Sequence, residues 1–269
     1  MKILFFGDIV GNHGINAVSD VLRTLVASYE PDLVIANGEN ATRGFGLNYA
    51  DAKKIFDLGI DVVTLGNHWR NRPSIDGFLE EFETLLRPEN VLNYDIGTGH
   101  ITLDVRGVPV TISNLLGTAF MKETVGSPMV AMHDILSSSP DGIHIVDYHA
   151  ESTSEKSTFA YYFDGQVSAV LGTHTHVQTA DARLLPHGTA FISDVGMCGL
   201  HQSVIGFEPD SVIQHIVYGD PKPMLIPDEG ESIVSAVLLD IDEETFLAKD
   251  IRPLYYVGGK ERVYGEKDL

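Results

Sequence analysis

Apolar residues in this chain come in short blocks, each closed by glycine or a polar side chain. Lys2–Phe6 (KILFF) is the first, a β-rich run that ends in Gly7-Asp8. From Ile15 to Tyr29 the spacing becomes that of a helix, through Val18, Val21, Leu22, Leu25 and Val26. Pro31 interrupts it, and Asp32–Ala36 (DLVIA) reads as a buried strand. A helix is predicted over Asn48–Leu58 with Gly59 as its stop, and a third strand over Asp61–Leu65 (DVVTL). This β-α-β-α-β alternation predicts parallel strands with helices on their faces.

After Pro88 the pattern changes. HITLDV (His100–Val105) and VPVTIS (Val108–Ser113) flank Arg106-Gly107 and read as an antiparallel hairpin. A stretch around Gly126-Ser127-Pro128, read as mobile, precedes a helix ending near Leu136. Gly142–Ala150, Gln166–His174 and Thr189–Val195 are three further strands, and Ile233–Ile241 and about Ile251–Val257 complete the set. No linker divides the chain, so residues 1–269 are expected to form one domain with ample core. Two packed sheets with outer helices, a four-layer α/β sandwich, is the architecture expected.

The polar residues of chemical interest directly follow these strands. Asp8 follows KILFFG, Glu39 and Asn40 follow DLVIANG, and Asn67 and His68 follow DVVTLG. His149 follows HIVDY, and His174 and His176 follow VSAVLGT. Ligands of open α/β sheets sit beyond the carboxyl ends of the strands, so these five strand ends imply one shared site. His174 and His176, at i and i+2, are expected on one strand face. Carboxylates, amide oxygens and imidazoles without a thiolate suit manganese, iron or zinc, and not a structural zinc site. Seven such side chains exceed what one tetrahedral ion needs. Two ions sharing a carboxylate fit better, and ions about 3.5–4 Å apart can activate water and clamp a phosphoryl group. Asp8, Glu39, Asn40 and His176 would hold one ion. Glu39, Asn67, His149 and His174 would hold the other, with Glu39 bridging.

Charge narrows the partners. With 38 acidic and 18 basic residues the formal charge is −20, which disfavours nucleic acid or an anionic membrane. A small anion would have to be held locally, and bound cations do that. The single cysteine, Cys198, cannot form an internal disulfide and suits a reducing cytoplasm. MKILFFGDIV carries too short an apolar run for a signal segment or a membrane span.

The ordered set GD, NGENA, LGNH, DYHAESTSEK, GTHTHVQTAD and DVGMCG resembles the metallophosphoesterase (calcineurin-like) superfamily, and within it the YmdB-like branch of bacterial phosphodiesterases. The resemblance runs from Met1 to about Val257. It implies an α/β/β/α sandwich with two mixed sheets and hydrolysis of small phosphodiesters, notably 2′,3′- or 3′,5′-cyclic nucleotides. It implies the same ligands: Asp8, Glu39, Asn40, Asn67, His149, His174 and His176. Two divalent or trivalent ions are expected, iron or manganese first, with zinc or magnesium as further options. His68 matches the histidine that protonates the leaving group, and a homo-oligomer is implied. Three departures stand out. Ile9 and Val10 follow Asp8, so the wider superfamily's D-x-H histidine is absent; Glu39 replaces the usual bridging aspartate, as in the branch. After His68 come Trp69, Arg70 and Asn71, with no carboxylate to orient it.

Other readings stay open. A phosphomonoesterase or nucleotidase would use the same ions, and a regulatory scaffold would keep the fold with incidental catalysis. RNA cleavage is disfavoured by net charge, although Arg70 and Arg72 would add positive charge beside the site. Asn40 also suits a helix cap or turn. Thr42–Gly46 (TRGFG) resembles a phosphate cradle and equally suits a flexible connection. Cys198, lacking an obvious base, reads as close packing and not as a nucleophile. His13 and His201 are placed in loops near the site and could touch substrate; the other five histidines are not read as ligands.

Overall fold

The computed structural model describes residues 1–122 and 124–262. Residues 123 and 263–269, which the one-domain expectation over 1–269 includes, lie outside the described residues.

Strand β1 (Lys2–Phe6) leads through Gly7 into a short β2 (Asp8–Ile9) and then helix α1 (Gly11–Tyr29). The helix starts ahead of Ile15, and its early turn contains Gly14. A Cβ there would lie 2.3 Å from the Cys198 carbonyl oxygen, so close packing demands glycine despite its poor helix propensity. β3 (Leu33–Asn37) and α2 (Tyr49–Asp57) follow, and the Asn48 side chain caps α2 by accepting from Asp51 N at 2.8 Å. β4 (Val62–Thr64), a 3-10 turn at Pro73–Gly77 and β5 (Leu85–Leu86) complete the first half.

The expected hairpin forms from β6 (His100–Val105) and β7 (Val108–Leu116), paired antiparallel. The stretch read as mobile is tied down: Gly126 N donates to Asn90 O at 2.7 Å, and Asn90 Nδ2 donates to Gly126 O at 2.9 Å. Next come α3 (Pro128–Ser138), β8 (Ile143–His149), α4 (Thr153–Tyr162) and β9 (Ala169–Thr173). The chain then forms β10 (Arg183–Leu184), β11 (Ala190–Ile192), β12 (Met197–Leu200) and α5 (Pro209–Ile216). β13 (Ser232–Ile241), β14 (Ala248–Val257) and β15 (Lys260–Glu261) finish the described part.

Both sheets are mixed. The first runs β15-β14-β13-β1-β3-β4-β5, with β12 pairing both β13 and β2; the second runs β10-β11-β9-β8-β7-β6. β1, β3, β4 and β5 are mutually parallel, as are β7, β8, β9 and β11. Strand alternation sorts the core into three layers. Ile3, Phe5, Ile35 and Val62 of the first sheet meet Ile112, Ile145, Leu171 and Ile192 of the second. The neighbouring residues Leu4, Phe6 and Val34 face Val18, Leu22 and Leu25 of α1. Val146, Tyr148 and Val170 face Met132 of α3 and Phe159 of α4. The result is the four-layer α/β/β/α sandwich.

Candidate metal centre

The alternation that sends isoleucines between the sheets also sends polar side chains there near the strands' carboxyl ends. Asn37 ends β3, Thr64 ends β4, Asp147 lies in β8 and Thr173 ends β9; all four are fully buried. They bond to one another around Asp147. Its Oδ2 accepts from Asn37 Nδ2 at 2.9 Å and Thr64 Oγ1 at 2.5 Å, and its Oδ1 accepts from Thr173 Oγ1 at 2.6 Å. This network reaches the expected ligands directly. Asn37 Oδ1 accepts from Glu39 N at 3.1 Å, and Thr173 Oγ1 lies 2.9 Å from His149 Nδ1.

Glu39, His149 and His174 bring one ligand atom each within 4.8 Å of one another. His149 Nε2 lies 3.0 Å from Asn67 Oδ1, 3.1 Å from Glu39 Oε1 and 3.1 Å from His174 Nδ1. Beside this group stand Asp8, Asn40 and His176: His176 Nε2 is 2.9 Å from Asn40 Nδ2 and 3.9 Å from Asp8 Oδ1. Asp8 Oδ1 is also 3.9 Å from His149 Nδ1. All seven expected ligands therefore lie close together, Glu39, Asn67 and His174 around His149, with Asp8, Asn40 and His176 beside them. Gly66 makes the approach possible, since a Cβ there would fall 2.4 Å from Glu39 Oε2 and 2.5 Å from the His149 ring.

The reason for expecting His174 and His176 together needs correction. β9 stops at Thr173, and both histidines have left-handed backbone, with φ of 105° and 66°. They are in a turn, not on a shared strand face. His174 reaches the His149 side, where Glu151 Oε2 lies 3.0 Å from its Nε2; His176 reaches Asp8, its Nδ1 held 2.8 Å from Ile205 O. The divergence puts one histidine beside His149 and the other beside Asn40 and Asp8.

Electrostatics mark the site as charged and largely buried. Burial pushes Asp8 up to about 6, against the pull of His176 and His149. Burial also pushes Glu39 up, but His149 and His68 outweigh it and bring the carboxyl down to about 2. Burial opposes charge on His149, yet Glu39 and Asp8 raise it to about 9. Burial and its proximity to His149 lower His174 to about 3. His149 must release a proton to ligate an ion, so ion binding and proton release are linked here. Asp8 Oδ1, Glu39 Oε1 and Asn40 Oδ1 are buried without a hydrogen-bond partner. Glu39 Oε1 stands 3.1 Å from His149 Nε2 as an ion-pair contact. Orphaned acceptors of this kind are costly in a protein interior. A cation satisfies all three, and oxygen plus imidazole donors suit manganese, iron or zinc. The residues fit a metal centre.

Comparison with known proteins bears on this geometry. The family model described as YmdB-like protein matches residues 4–254. The chain belongs to the YmdB-like family. A Bacillus subtilis protein named 2′,3′-cyclic-nucleotide 2′-phosphodiesterase is 36% identical over 247 residues, 91% of this chain and 93% of that one. Among solved structures, a hypothetical protein from Thermus thermophilus superposes with a TM-score of 0.89 at 37% identity, covering 96% of this chain and 99% of that one. A structure titled as a novel phosphatase, from Mycoplasma pneumoniae, gives 0.89 at 33% identity, covering 96% and 93%. The metallophosphoesterase fold expected from the motifs is the fold observed, shared with more distant nucleotidase structures.

This YmdB-like chain fills the gap after His68 in its own way. Asn71 Nδ2 lies 2.8 Å from His68 Nδ1, in the role for which the sequence offers no carboxylate. The His68 backbone N–H donates to Glu39 Oε2 at 2.9 Å, and its ring meets Phe45 edge-on at 5.0 Å. His68 is thus fixed beside the bridging candidate. Arg70 pairs with Asp76 at 2.7 Å and lies over Tyr94 at 4.8 Å. Arg72 donates to the carbonyls of Phe45 and Thr42 at 3.0 and 3.1 Å.

The latter contacts speak for the connection reading of TRGFG over the phosphate cradle. Thr42 N, Gly44 N and Phe45 N donate to Gly46 O, Asn40 O and Thr42 O, so these amides are used inside the turn. Beyond Phe45 a cavity of about 560 Å³ is lined by His13, Arg43, Arg72 and Asp228, among others. His13 sits on α1 and not in a loop. His201 lines a smaller cavity with His176, just past β12. Cys198 is fully buried in β12 and burial pushes its thiol up to about 12, which fits the packing role expected of it and makes it a poor nucleophile at neutral pH.

Sequence reasoning passed over Asn37, Thr64, Asp147, Thr173 and Asn71. A signal existed for the strand residues: polar side chains at inward positions of otherwise apolar runs, one to three residues before the candidate ligands.

Proposed function

We propose that the chain is a two-metal phosphodiesterase of small cyclic nucleotides, with 2′,3′-cyclic nucleotides the favoured class. The observation that carries this reading is the convergence of Glu39, His149 and His174 with three buried oxygens that have no partner. The name of the Bacillus subtilis relative supports the substrate class. Asp8, Glu39, Asn40 and His176 would hold one ion, and Glu39, Asn67, His149 and His174 the other. When bound, the ions supply an acidified water at neutral pH and neutralise phosphate charge. That neutralisation reconciles a chain of charge −20 with an anionic substrate.

The protein's own residues do the rest. Glu39 would bridge the two ions; its Oε1 lies 3.1 Å from His149 Nε2 and its Oε2 accepts the His68 amide N–H. With Asn71 donating to Nδ1, the His68 ring carries its proton on Nε2. His68 passes that proton to the departing ribose oxygen. For a 2′,3′-cyclic substrate the water oxygen joins phosphorus, the P–O2′ bond breaks, and O2′ takes the proton, leaving a nucleoside 3′-phosphate. The Thr173–Asp147 relay keeps the His149 Nδ1 proton engaged and turns Nε2 to the centre.

Iron or manganese is the proposed occupant, and the cytoplasm the proposed location. No helix among the described residues is long and apolar enough to cross a membrane. A homo-oligomer is proposed, supported by the apolar surface around α5, where Ile216, Val217 and Tyr218 are exposed. Sedimentation tests that state. The activity is tested with 2′,3′-cyclic AMP, bis(p-nitrophenyl) phosphate and a phosphomonoester, using metal-stripped protein refilled with manganese or iron. Metal-dependent diester turnover well above monoester turnover is expected. Turnover of the monoester alone would replace this reading with a phosphatase.

A further inference from the structure

Lys156 and Asp194 form an ion pair that the chemistry above does not use. Lys156 Nζ donates to Asp194 Oδ2 at 2.9 Å, and both residues are buried, at 1% relative exposure each. Such a pair is weak grounds for stability, because desolvation offsets much of the attraction and apolar replacements are often as stable. A positional role explains it better. The same Asp194 Oδ2 accepts the backbone N–H of Thr175 at 2.9 Å. Thr175 is the residue between His174 and His176.

Both of those histidines have left-handed backbone, which L-residues adopt at a cost and keep only where the surroundings impose it. Asp194 is equipped to impose it. Its Oδ1 accepts from Gly196 N at 2.8 Å, its N–H donates to Thr179 Oγ1 at 2.9 Å, and its carbonyl accepts from Thr179 N at 3.0 Å. Lys156, from the first turn of α4, fixes the carboxylate from the other side. Two elements of the second sheet's layer thus meet at one oxygen, and that oxygen holds the middle of the metal-binding turn.

We infer that the Lys156–Asp194 pair is a positioning device that sets the His174–Thr175–His176 turn, so that one histidine serves each metal subset. Neither residue touches an ion or the substrate. The inference rests on the metal-centre reading, and its test separates the two. The pair is needed by both subsets, so its loss weakens both ions together.

Manganese alone is the probe, titrated into metal-stripped full-length protein against a chromophoric chelator, with ions per chain counted by elemental analysis. Asp194→Asn puts an amide donor against donors that the carboxylate accepted. Both ions are expected to bind at least about tenfold more weakly, in the range seen when the outer partners of metal ligands are removed. The charge-neutral double variant Lys156→Met/Asp194→Leu, which leaves no unpaired buried charge, is expected to lose affinity similarly. Phe159→Leu, on α4 but in the outer core layer, controls for general destabilisation and is expected to keep wild-type affinity. A folded Asp194→Asn protein that binds two ions within about threefold of wild type, inside the tenfold loss expected for an outer partner, would overturn the inference. So would a Phe159→Leu loss equal to that of Asp194→Asn. If the double variant does not fold, Asp194→Asn decides. A wild-type chain that binds no manganese would instead sink the metal-centre reading.

Discussion

Thr173→Val keeps a branched side chain and deletes one hydroxyl. That hydroxyl donates to Asp147 Oδ1 at 2.6 Å and lies 2.9 Å from His149 Nδ1. Its removal leaves one oxygen of a fully buried carboxylate without that donor, while Thr64 and Asn37 still serve the other. A hydrogen bond to a charged group contributes about 1.5–3 kcal/mol, so the metal-free protein should lose about that much unfolding free energy, read as a lower urea midpoint. The His149 ring also loses the partner that fixes its tautomer. Such losses weaken metal binding about 10–100-fold, or about 1.4–2.7 kcal/mol. Urea unfolding of the stripped protein and competition titration with manganese measure the two effects separately. If the valine variant binds manganese as tightly as wild type, the Asp147–Thr173–His149 relay does not orient the ligand and the reasoning fails.

Other variants probe different parts of the site. Gly66→Ala drives a methyl to 2.4 Å from Glu39 Oε2, so metal content should fall well below that of wild type while circular dichroism stays native; full loading would contradict the close approach. Asn71→Ala should lower kcat about tenfold or more on an alkoxide leaving group, and less on p-nitrophenolate, because only the former needs the proton that His68 carries. Equal losses on both would remove Asn71 from proton delivery. Cys198, buried and pushed up to about 12, should resist iodoacetamide in the native protein and react once urea unfolds it; fast native labelling would refute its burial.

Sequence is informative here wherever one periodicity governs a segment. β1 is legible residue for residue, because an unbroken apolar run closed by Gly-Asp has few other readings, and β8 and β13 almost as closely, because their apolar residues are dense over a strand's length. The ligands are readable for the same reason, since each follows such a run. α4 is not, although Ser152 and Glu155 stand at capping-box spacing and Glu155 N donates to Ser152 Oγ at 3.4 Å. Its buried face is Lys156, Phe159 and Ala160, and a buried lysine hides the stripe. β2, β10 and β12 are too short to carry a period; β2 and β12 exist through pairing with each other across the chain, as Asp8 with Met197, and β10 through pairing with β11. The two-way turn at His174 and His176 is not legible either, because its backbone is imposed from outside by Asp194.

Glu39 is the carboxylate proposed to bridge the two ions, and its Oε2 accepts the His68 N–H. The most direct test is therefore hydrolysis of 2′,3′-cyclic AMP by wild-type and Glu39→Gln proteins, each stripped and refilled with manganese, with bound metal counted beside the rate. Wild type should bind two ions per chain and turn over, while Glu39→Gln should lose metal and fall at least about a hundredfold in kcat/KM, as expected when electrostatic stabilisation of the transition state is removed. Full turnover with two ions in Glu39→Gln would contradict the bridging carboxylate, and a wild type that binds no metal would contradict the site itself.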